Sequence, residues 1–322
     1  MIITVTLNAA IDRTQVVPHF TVGRRHRAVE STTLAGGHGI NVARALRRLD
    51  RAVATTGLIG GVTGKLVRER LSEEGLLHDF HQIAGTSRTS TAVIDPVEGT
   101  VTEMNEYGPD VSEAELEAFA TKLDFLARTA DIVVFSGSLP PGLDSATYQQ
   151  LLRRVRPSGA QTIVNSLGHD AALGETLQAE PSLTVVSQRE AEEFVGYEFT
   201  VDEDFRAAFD AMVRIGGQSL VIATDDGVWA RIKTGRTIDL VRARFESSDL
   251  VSGLGGVDVF VAGYVSAYLD DALPPERLRR GLAVTMANQR QLGVGIFDTS
   301  DLRALEQRVS IEPLAEVGEP AG

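Results

Sequence analysis

The sequence predicts a three-layer α/β/α protein, in which helices cover both faces of a mostly parallel central sheet and a small β-sheet forms a lid. From Ser112 onward, short apolar runs alternate with amphipathic segments, a pattern typical of parallel strands connected by helices. Two strand-rich stretches, at about 13–34 and 86–106, flank a helical unit and indicate a second, smaller sheet. A small sheet that stands off the main one is suited to closing over a site.

The composition limits the kind of partner that the protein can bind. The chain has 322 residues, a formal net charge of -13, six histidines and no cysteine. The negative charge argues against binding to nucleic acid or to an anionic membrane, and the missing cysteines exclude disulfides and thiolate metal sites. We find no linker or repeat, no signal-peptide pattern and no long apolar run, so we expect a single cytoplasmic domain over residues 1–322.

The first half of the chain places polar residues at the ends of predicted strands. A buried strand from Ile2 to Leu7 is followed by Asp12, and ligands of open α/β sheets bind at such carboxyl ends. Glycines at 36 and 37 precede an amphipathic helix and allow a ligand to approach the backbone closely. A strand from Ala52 to Leu58 and a charged helix from about Gly64 to Glu74 follow.

The second half of the chain predicts the alternating strands and helices. The predicted strands are Ile132 to Phe135, Thr162 to Val164, Leu183 to Val186 and Leu220 to Ala223. The predicted helices lie near 112–128, 145–155, 170–178, 189–195 and 203–215. Val228 to Val241 is predicted to form a hairpin at the sheet edge, and residues 311–322, which lack an apolar period, are predicted to be frayed.

A glycine-rich turn within Ser252 to Gly263 leads into an apolar helical run and carries Asp258. The first amides of a helix have no partner within the helix, and the helix dipole adds to their attraction for an anion. A carboxylate beside such an anion site is suited to take a proton from an attacking hydroxyl while the amides hold a phosphoryl group. The motif thus predicts a phosphotransferase; the alternative is an ordinary glycine-rich loop that ends in a helix cap.

Four motifs in this order resemble the PfkB, or ribokinase-like, family of carbohydrate kinases. They are Thr-Val-Thr-Leu-Asn-Ala-Ala-Ile-Asp ending at Asp12, Gly-Gly-His-Gly-Ile-Asn ending at Asn41, Ser-Gly-Ser-Leu-Pro-Pro-Gly over residues 136–142, and Asp258 with Phe-Val-Ala-Gly behind it. The resemblance covers nearly the whole chain. It is strongest to the phosphosugar branch, which contains 1-phosphofructokinase, tagatose-6-phosphate kinase and the minor bacterial 6-phosphofructokinase, and it implies the ribokinase-like fold with ATP and Mg²⁺.

The resemblance also implies roles for individual residues. Asp258 corresponds to the general base, and Gly255, Gly256 and Val257 correspond to the anion hole for the transferred phosphoryl group. The residues implied to bind the sugar hydroxyls are Asp12, Gly36, Gly37 and Asn41, and those implied to bind the substrate phosphate are Arg24, Arg88 and Ser138. The residues implied to contact the nucleotide are Thr224, Gly227, Ser187 and Asn288, with Glu190 reaching Mg²⁺ through water.

The sequence departs from the family pattern mainly on the nucleotide and metal side. Val257 replaces the glycine before the base, Asn165 replaces the aspartate of Asp-x-Ser-Gly, and Ser187 replaces the asparagine of Asn-x-x-Glu. The segment beside the nucleotide is shortened to residues 224–227. His38 stands where phosphosugar kinases often carry lysine or glycine, and we assign it no chemistry.

These observations predict an ATP- and Mg²⁺-dependent kinase of a ketohexose phosphate, with fructose 1-phosphate or fructose 6-phosphate first and tagatose 6-phosphate next. An alternative is a sugar-phosphate-binding homologue with weak or no kinase activity, which Val257, Asn165 and Ser187 favour. A third hypothesis, a kinase of an unphosphorylated sugar or nucleoside, is opposed by Arg24 and Arg88. By analogy with the family, the lid strands allow a homodimer.

Overall fold

The computed structural model describes residues 1–168, 172–245 and 254–314. Its strands are β1 (Ile2–Thr6), β2 (Ala10–Val16), β3 (Glu30–Gly36), β4 (Val53–Gly60), β5 (Leu77–Ile83), β6 (Arg88–Asp95), β7 (Thr100–Asn105), β8 (Ile132–Ser136), β9 (Gln161–Asn165), β10 (Leu183–Ser187), β11 (Ser219–Thr224), β12 (Gly227–Thr234), β13 (Thr237–Phe245) and β14 (Val309–Pro313). Its helices are α1 (His38–Arg48), α2 (Gly61–Glu73), α3 (Glu113–Ala127), α4 (Thr147–Val155), α5 (Ala172–Leu177), α6 (Gln188–Val195), α7 (Asp202–Ile215), α8 (Gly256–Leu269), α9 (Pro274–Gln289) and α10 (Leu302–Gln307).

A ten-stranded sheet in the order β14-β13-β12-β11-β10-β9-β8-β1-β4-β5 forms the centre of the molecule. The strands from β11 to β5 pair in parallel, whereas β12, β13 and β14 extend the sheet in antiparallel pairs. Strands β1 and β8 are buried at every residue, as expected for parallel strands covered on both faces. The prediction of a mostly parallel central sheet is confirmed.

Helices cover both faces of this sheet and form two apolar clusters. Alternate strand residues divide between them: Ile2 packs into one cluster and Ile3 into the other. Helices α1, α2, α8, α9 and α10 contribute to the first cluster, and α3 to α7 contribute to the second. This is the predicted three-layer arrangement.

The smaller sheet has four strands in the order β3-β2-β6-β7. Strands β2 and β6 pair in parallel, and the two outer pairs are antiparallel. The predicted second sheet over about 13–34 and 86–106 is therefore present, although residues 17–29 contain no strand. Every residue of β7 is exposed, so this strand is an open edge of the small sheet.

The structure corrects two predictions at the carboxyl-terminal end and adds elements that the pattern did not predict. Residues 311–313, predicted to be frayed, belong to β14, which pairs with β13; residues 315–322 lie outside the described part. The predicted hairpin exists as β12 and β13, but β14 occupies the sheet edge. Strand β5 and helices α9 and α10 were not predicted. In β5 only Phe80 and Ile83 are buried, so the sequence of this strand shows only a weak apolar pattern.

Helix α8 is central to the first layer because it packs against both α1 and α9. Its residues from 258 to 267 are all buried. A Cβ at Gly263 would lie 2.6 Å from the carbonyl oxygen of Arg280, so this glycine allows α8 and α9 to approach closely. Within the described residues, we find no helix that has both the length and the apolar character needed to cross a membrane.

Candidate active site

The candidate site lies where the carboxyl ends of the central parallel strands meet the first turns of α1 and α8. His38 and Asn41 occupy the first turn of α1, on one face of the helix because they are three residues apart. Asp258 occupies the first turn of α8, and Asn165 is the last residue of β9. The fold thus brings together four polar side chains from three separate elements.

Asp258 accepts hydrogen bonds from three of these side chains. Nδ1 of His38 lies 2.9 Å from Oδ1 and 3.1 Å from Oδ2 of Asp258. Nδ2 of Asn41 donates to Oδ2 at 3.0 Å, and Nδ2 of Asn165 donates to Oδ1 at 3.1 Å. Because the carboxylate is 0% exposed, these donors replace the water that it would bind in solution.

His38 forms the most exposed part of this cluster, with 42% of its side chain accessible. Burial disfavours the charged imidazole, but the neighbouring Asp258 carboxylate outweighs burial and raises the pKa of His38 to about 9 from an ordinary 6.5. Glu190 adds to this effect and Arg88 opposes it. His38 is therefore a cation paired with Asp258 at neutral pH. Sequence reasoning gave this residue no role, although it stands directly after the two glycines of a recognised motif.

Asn165, which the family pattern associates with the nucleotide and metal side, donates to the proposed base. Its Oδ1 accepts a hydrogen bond from Oγ of Ser136, the last residue of β8. Ser136, Asn165 and Asp258 are each 0% exposed, so they form a buried chain of hydrogen bonds. The neighbouring ends of β8 and β9 explain this contact, which the sequence motif alone does not reveal.

The loop that precedes α8 depends on glycine at one position. Gly255 caps α8 with φ 65, and a Cβ there would lie 2.1 Å from Cγ1 of Val294. The first amides of α8 point out of the helix without an acceptor inside it, so they can receive an anion. Val257 is helical and its side chain packs against the first apolar cluster, so the valine that departs from the family pattern fits without backbone strain. Ser252 and Gly253 lie outside the described residues.

Asn288 braces this loop from α9. Its Nδ2 donates to the carbonyl oxygen of Leu254 at 3.1 Å, and its Oδ1 accepts the Gly295 N–H at 2.8 Å. The side chain is 1% exposed. These bonds use one of the two N–H groups and one of the two oxygen lone pairs of the amide, so the nucleotide contact that the sequence predicted for Asn288 stays a prediction.

A cavity of about 160 Å³ opens between the small sheet and the starts of α1 and α8. The residues on its wall that carry polar groups or lie in the predicted motifs include Asp12, Gly37, His38, Asn41, Arg88, Gly255 and Asp258. Gly36 leaves room for Asp12, because a Cβ there would lie 2.1 Å from the carboxyl carbon. Burial raises the pKa of Asp12, against the opposing charges of Arg44 and Arg88.

The predicted phosphate-binding residues are only partly brought together. Arg88 lines the cavity and donates from Nη1 to the carbonyl oxygen of Glu106 at 3.0 Å. Ser138 lies beside Gly168, where a Cβ would come within 3.1 Å of the serine Cβ. Arg24 lies on the exposed segment between β2 and β3 and is not among the residues that line the cavity, because this segment leaves the small sheet after Val16. Arg13, which the sequence did not single out, lines the cavity instead.

The predicted metal residue also caps a helix. Glu190 Oε2 accepts the N–H of Ser187 at 2.8 Å and its Oγ–H at 2.8 Å, and Glu190 Oε1 accepts the Gly168 N–H at 3.0 Å. Ser187, predicted to contact the nucleotide, is thus the N-cap of α6. Among the described residues, no group of three or more histidine or acidic side chains is placed to hold a metal ion by itself.

Thr224 and Gly227, predicted to lie beside the nucleotide, face each other across a tight turn between β11 and β12. Thr224 Oγ1 donates to Oδ1 of Asp226 at 2.8 Å. Arg242 from β13 donates to the other oxygen of the same carboxylate at 3.1 Å. The shortened segment is therefore a two-residue hairpin turn at the end of β11.

Comparison with known proteins was made by sequence and by structure. Residues 4–300 match the family described as pfkB family carbohydrate kinase. The chain is 30% identical over 317 residues to a 1-phosphofructokinase from Rhodobacter capsulatus, covering 98% of this chain and 99% of that protein.

Solved structures with the same fold include phosphofructokinase-2 from Escherichia coli in complex with substrates and products, with a TM-score of 0.83 at 24% identity over 95% of this chain and 98% of that one. A ribokinase from Arabidopsis thaliana complexed with ribose and ATP has a TM-score of 0.74 at 18% identity, over 95% and 98% of the two chains. With the family matched over residues 4–300, the chain belongs to the pfkB family of carbohydrate kinases.

Proposed function

We propose that this kinase transfers the γ-phosphoryl group of ATP to a hydroxyl of a ketohexose phosphate, with fructose 1-phosphate or fructose 6-phosphate first and tagatose 6-phosphate next. The observation that carries the proposal is the placement of Asp258, held by three donors in the first turn of α8 at the wall of the cavity. The similarity to a 1-phosphofructokinase at 30% identity supports the choice of a sugar phosphate.

The cavity wall carries groups that can bind sugar hydroxyls and groups that can bind a phosphate. Asp12 and Asn41 supply a carboxylate and an amide for sugar hydroxyls, and the Gly36-Gly37 backbone leaves room beside them. Arg88 supplies a guanidinium for the existing phosphate, a task that its planar set of donors suits. Arg13 is a second cation at this wall.

The proposed reaction is an in-line displacement. Asp258 accepts the proton of the acceptor hydroxyl, whose oxygen forms the new bond to the γ-phosphorus while the bond to the bridging oxygen of ADP breaks. The first amides of α8, from Gly255 to Val257, hold the phosphoryl oxygens as charge develops on them. The small sheet excludes water as it closes over the cavity.

Glu190 is the carboxylate that fits a water-mediated role in holding Mg²⁺. Its Oε1 accepts the Gly168 N–H and no second donor among the described residues, so it retains a lone pair for a water. Mg²⁺ usually keeps several waters and binds through few carboxylates together with substrate phosphates, which agrees with a site that has no cluster of acidic side chains in the described part of the chain. Mg²⁺ held in this way would neutralise charge on the phosphates of ATP.

The residues that favoured a non-catalytic binding protein each have a structural role that is compatible with catalysis. Val257 packs against the apolar cluster, Asn165 donates to Asp258, and Ser187 caps α6. None of these placements removes a group from the cavity wall. The kinase is therefore the better interpretation.

We also propose that the protein forms a homodimer through the small sheet. Strand β7 is an edge strand with all six residues exposed, and Val101 and Met104 are among its exposed apolar side chains. An unpaired edge of this kind is suited to contact a second copy. Light scattering on the purified protein tests this proposal, which a monomer at micromolar concentration would contradict.

A coupled assay tests the function directly. The purified protein is supplied with MgATP and, in separate reactions, with fructose 1-phosphate, fructose 6-phosphate, tagatose 6-phosphate and the free sugars. We expect turnover with a phosphorylated ketohexose and little with the free sugars. Calorimetry that shows sugar-phosphate binding, without MgATP binding or turnover, would contradict the proposal.

A further inference from the structure

Arg44 of α1 is a buried cation, 5% exposed, whose five N–H groups all have acceptors. Nε and Nη2 donate to the two carboxylate oxygens of Glu74, which follows α2, and Nη2 also donates to the carbonyl oxygen of Ala35 in β3. Nη1 donates to the carbonyl oxygen of Val294 at 3.1 Å and to Oδ1 of Asn41 at 3.1 Å. Four of the bonds thus hold the guanidinium in place, and the fifth reaches a side chain of the cavity wall.

The bond from Arg44 determines which way the amide of Asn41 faces. An asparagine amide has an acceptor on one side and two N–H donors on the other. Since Oδ1 of Asn41 accepts from Arg44, Nδ2 faces the opposite way, where it donates to Oδ2 of Asp258 at 3.0 Å. Nδ2 has no other acceptor among the residues that the structure describes, so its second N–H is available to a ligand in the cavity.

We infer that Arg44 is a positioning residue for the sugar phosphate, because it holds the amide of Asn41 with its N–H groups toward the cavity. Arg44 itself is not among the residues that line the cavity, so it acts through Asn41 and not by contact with the substrate. The inference rests on the proposed function, in which Asn41 binds a sugar hydroxyl. It adds to that function a buried guanidinium, behind the cavity wall, that affects how strongly the sugar is bound.

The charge of Arg44 also acts on Asp12, the other side chain proposed to bind sugar hydroxyls. Burial raises the pKa of Asp12, and Arg44 is the largest of the charges that oppose this rise, ahead of Arg88 and His38. Lysine at position 44 would keep a positive charge near Asp12. The substitution Arg44→Lys therefore tests the hydrogen bonds of the guanidinium and not its charge.

The test compares Arg44→Lys with Arg154→Lys in steady-state kinetics. Lysine has a single nitrogen and cannot reproduce the five bonds of the guanidinium. We expect Arg44→Lys to raise KM for the sugar phosphate about tenfold, the effect of losing a hydrogen bond from a charged donor, with KM for ATP unchanged. Arg154 on α4 also binds two carboxylates, those of Asp124 and Glu117, and does not line the cavity. Arg154→Lys should therefore leave both KM values unchanged.

A double-mutant cycle with Asn41→Ala distinguishes a positioning role from a general loss of structure. Without the amide, Arg44→Lys has nothing to misplace, so it should cause no further rise in KM for the sugar phosphate. A role in the fold alone would give the same rise with and without Asn41. Additive effects on this KM, or an equal rise in KM for ATP, would overturn the inference.

Glu74→Gln covers the case in which Arg44→Lys does not fold. It removes the charge that anchors the guanidinium and leaves Arg44 and Asn41 in place, so KM for the sugar phosphate should rise about threefold, and only when Asn41 is present. An unchanged KM would then overturn the inference. Absence of turnover in the unmodified protein would overturn the proposed function, whereas an active enzyme whose KM for the sugar phosphate does not respond to Arg44→Lys would overturn the inference alone.

Discussion

Replacement of Gly255 by alanine should destabilise the loop that leads into α8. The added Cβ would lie 2.1 Å from Cγ1 of Val294, and the residue would hold a φ of 65 that side chains other than glycine rarely adopt. The left-handed conformation costs about 1–2 kcal/mol, and the forced displacement of Val294 adds about 1–3 kcal/mol. We therefore expect Gly255→Ala to lower the free energy of unfolding by about 2–5 kcal/mol. It should also lower kcat, because a shift of this loop displaces the amides of Gly255 to Val257 that are proposed to hold the phosphoryl group.

Gly256→Ala provides the matched control on the adjacent residue. Gly256 is helical, and the nearest atom to an added Cβ is a methyl carbon of Thr285 at 3.7 Å, which is ordinary contact. Alanine in place of glycine in a helix is favourable by about 0.5–1 kcal/mol, so this variant should be no less stable than the unmodified protein. Urea unfolding of the three proteins measures the difference. Equal stability of Gly255→Ala and Gly256→Ala would refute the argument from backbone conformation.

Three further changes test other parts of the site. Arg88→Ala should raise KM for the phosphorylated sugar far more than KM for ATP in steady-state kinetics, and equal effects on both would remove Arg88 from the phosphate site. Asn288→Ala should lower the free energy of unfolding by about 1–3 kcal/mol, measured in urea, because it leaves two loop backbone groups without partners; an unchanged value would contradict the bracing role. His38→Gln should be less stable than the unmodified protein below pH 6.5, and the difference in stability should shrink as pH rises through about 9. The reason is that the raised pKa of His38 stabilises the folded state only while His38 is protonated and paired with Asp258. A constant difference from about pH 6 to 10 would contradict that assignment.

The layers of the fold could be predicted from the sequence because the buried strands and the amphipathic helices carry strong periodic signals. The predicted strand from Ile132 to Phe135 lies inside β8, and the helix predicted at 203–215 lies within one residue of α7. Strand β14 was missed because its pairing with β13 depends on distant residues and not on a local apolar pattern. Helix α9 was not predicted, although ten of its residues are buried, since its first half is rich in charged residues and its second half is mostly apolar, so that its two faces show little contrast.

Site residues could be predicted where they belong to a sequence motif, but contacts between residues of different motifs could not. Asp12, Asn41, Arg88 and Asp258 were each identified from a recognised pattern, and the structure brings all four to one cavity. The contacts of His38 and Asn165 with Asp258 join residues 220 and 93 positions apart, so no local pattern contains them.

The role of Arg24 stays a prediction. A basic residue near the small sheet fits the charge of a phosphate, but Arg24, between β2 and β3, is not among the residues that line the cavity. Arg13, one residue after Asp12 on β2, lines the cavity and had no motif of its own. Composition and charge therefore identified the kind of residue that is needed, whereas Arg13 was found only from the path of the backbone.

The turnover of Asp258→Asn tests the central claim most directly. Asparagine keeps the size of the side chain but cannot accept the hydroxyl proton, and general-base catalysis of this kind contributes about 10²–10⁴-fold. We predict that kcat with MgATP and the best ketohexose phosphate falls by that factor, while calorimetry shows unchanged binding of the sugar phosphate. A variant that retains more than a few per cent of the turnover would contradict the assignment of Asp258 as the base.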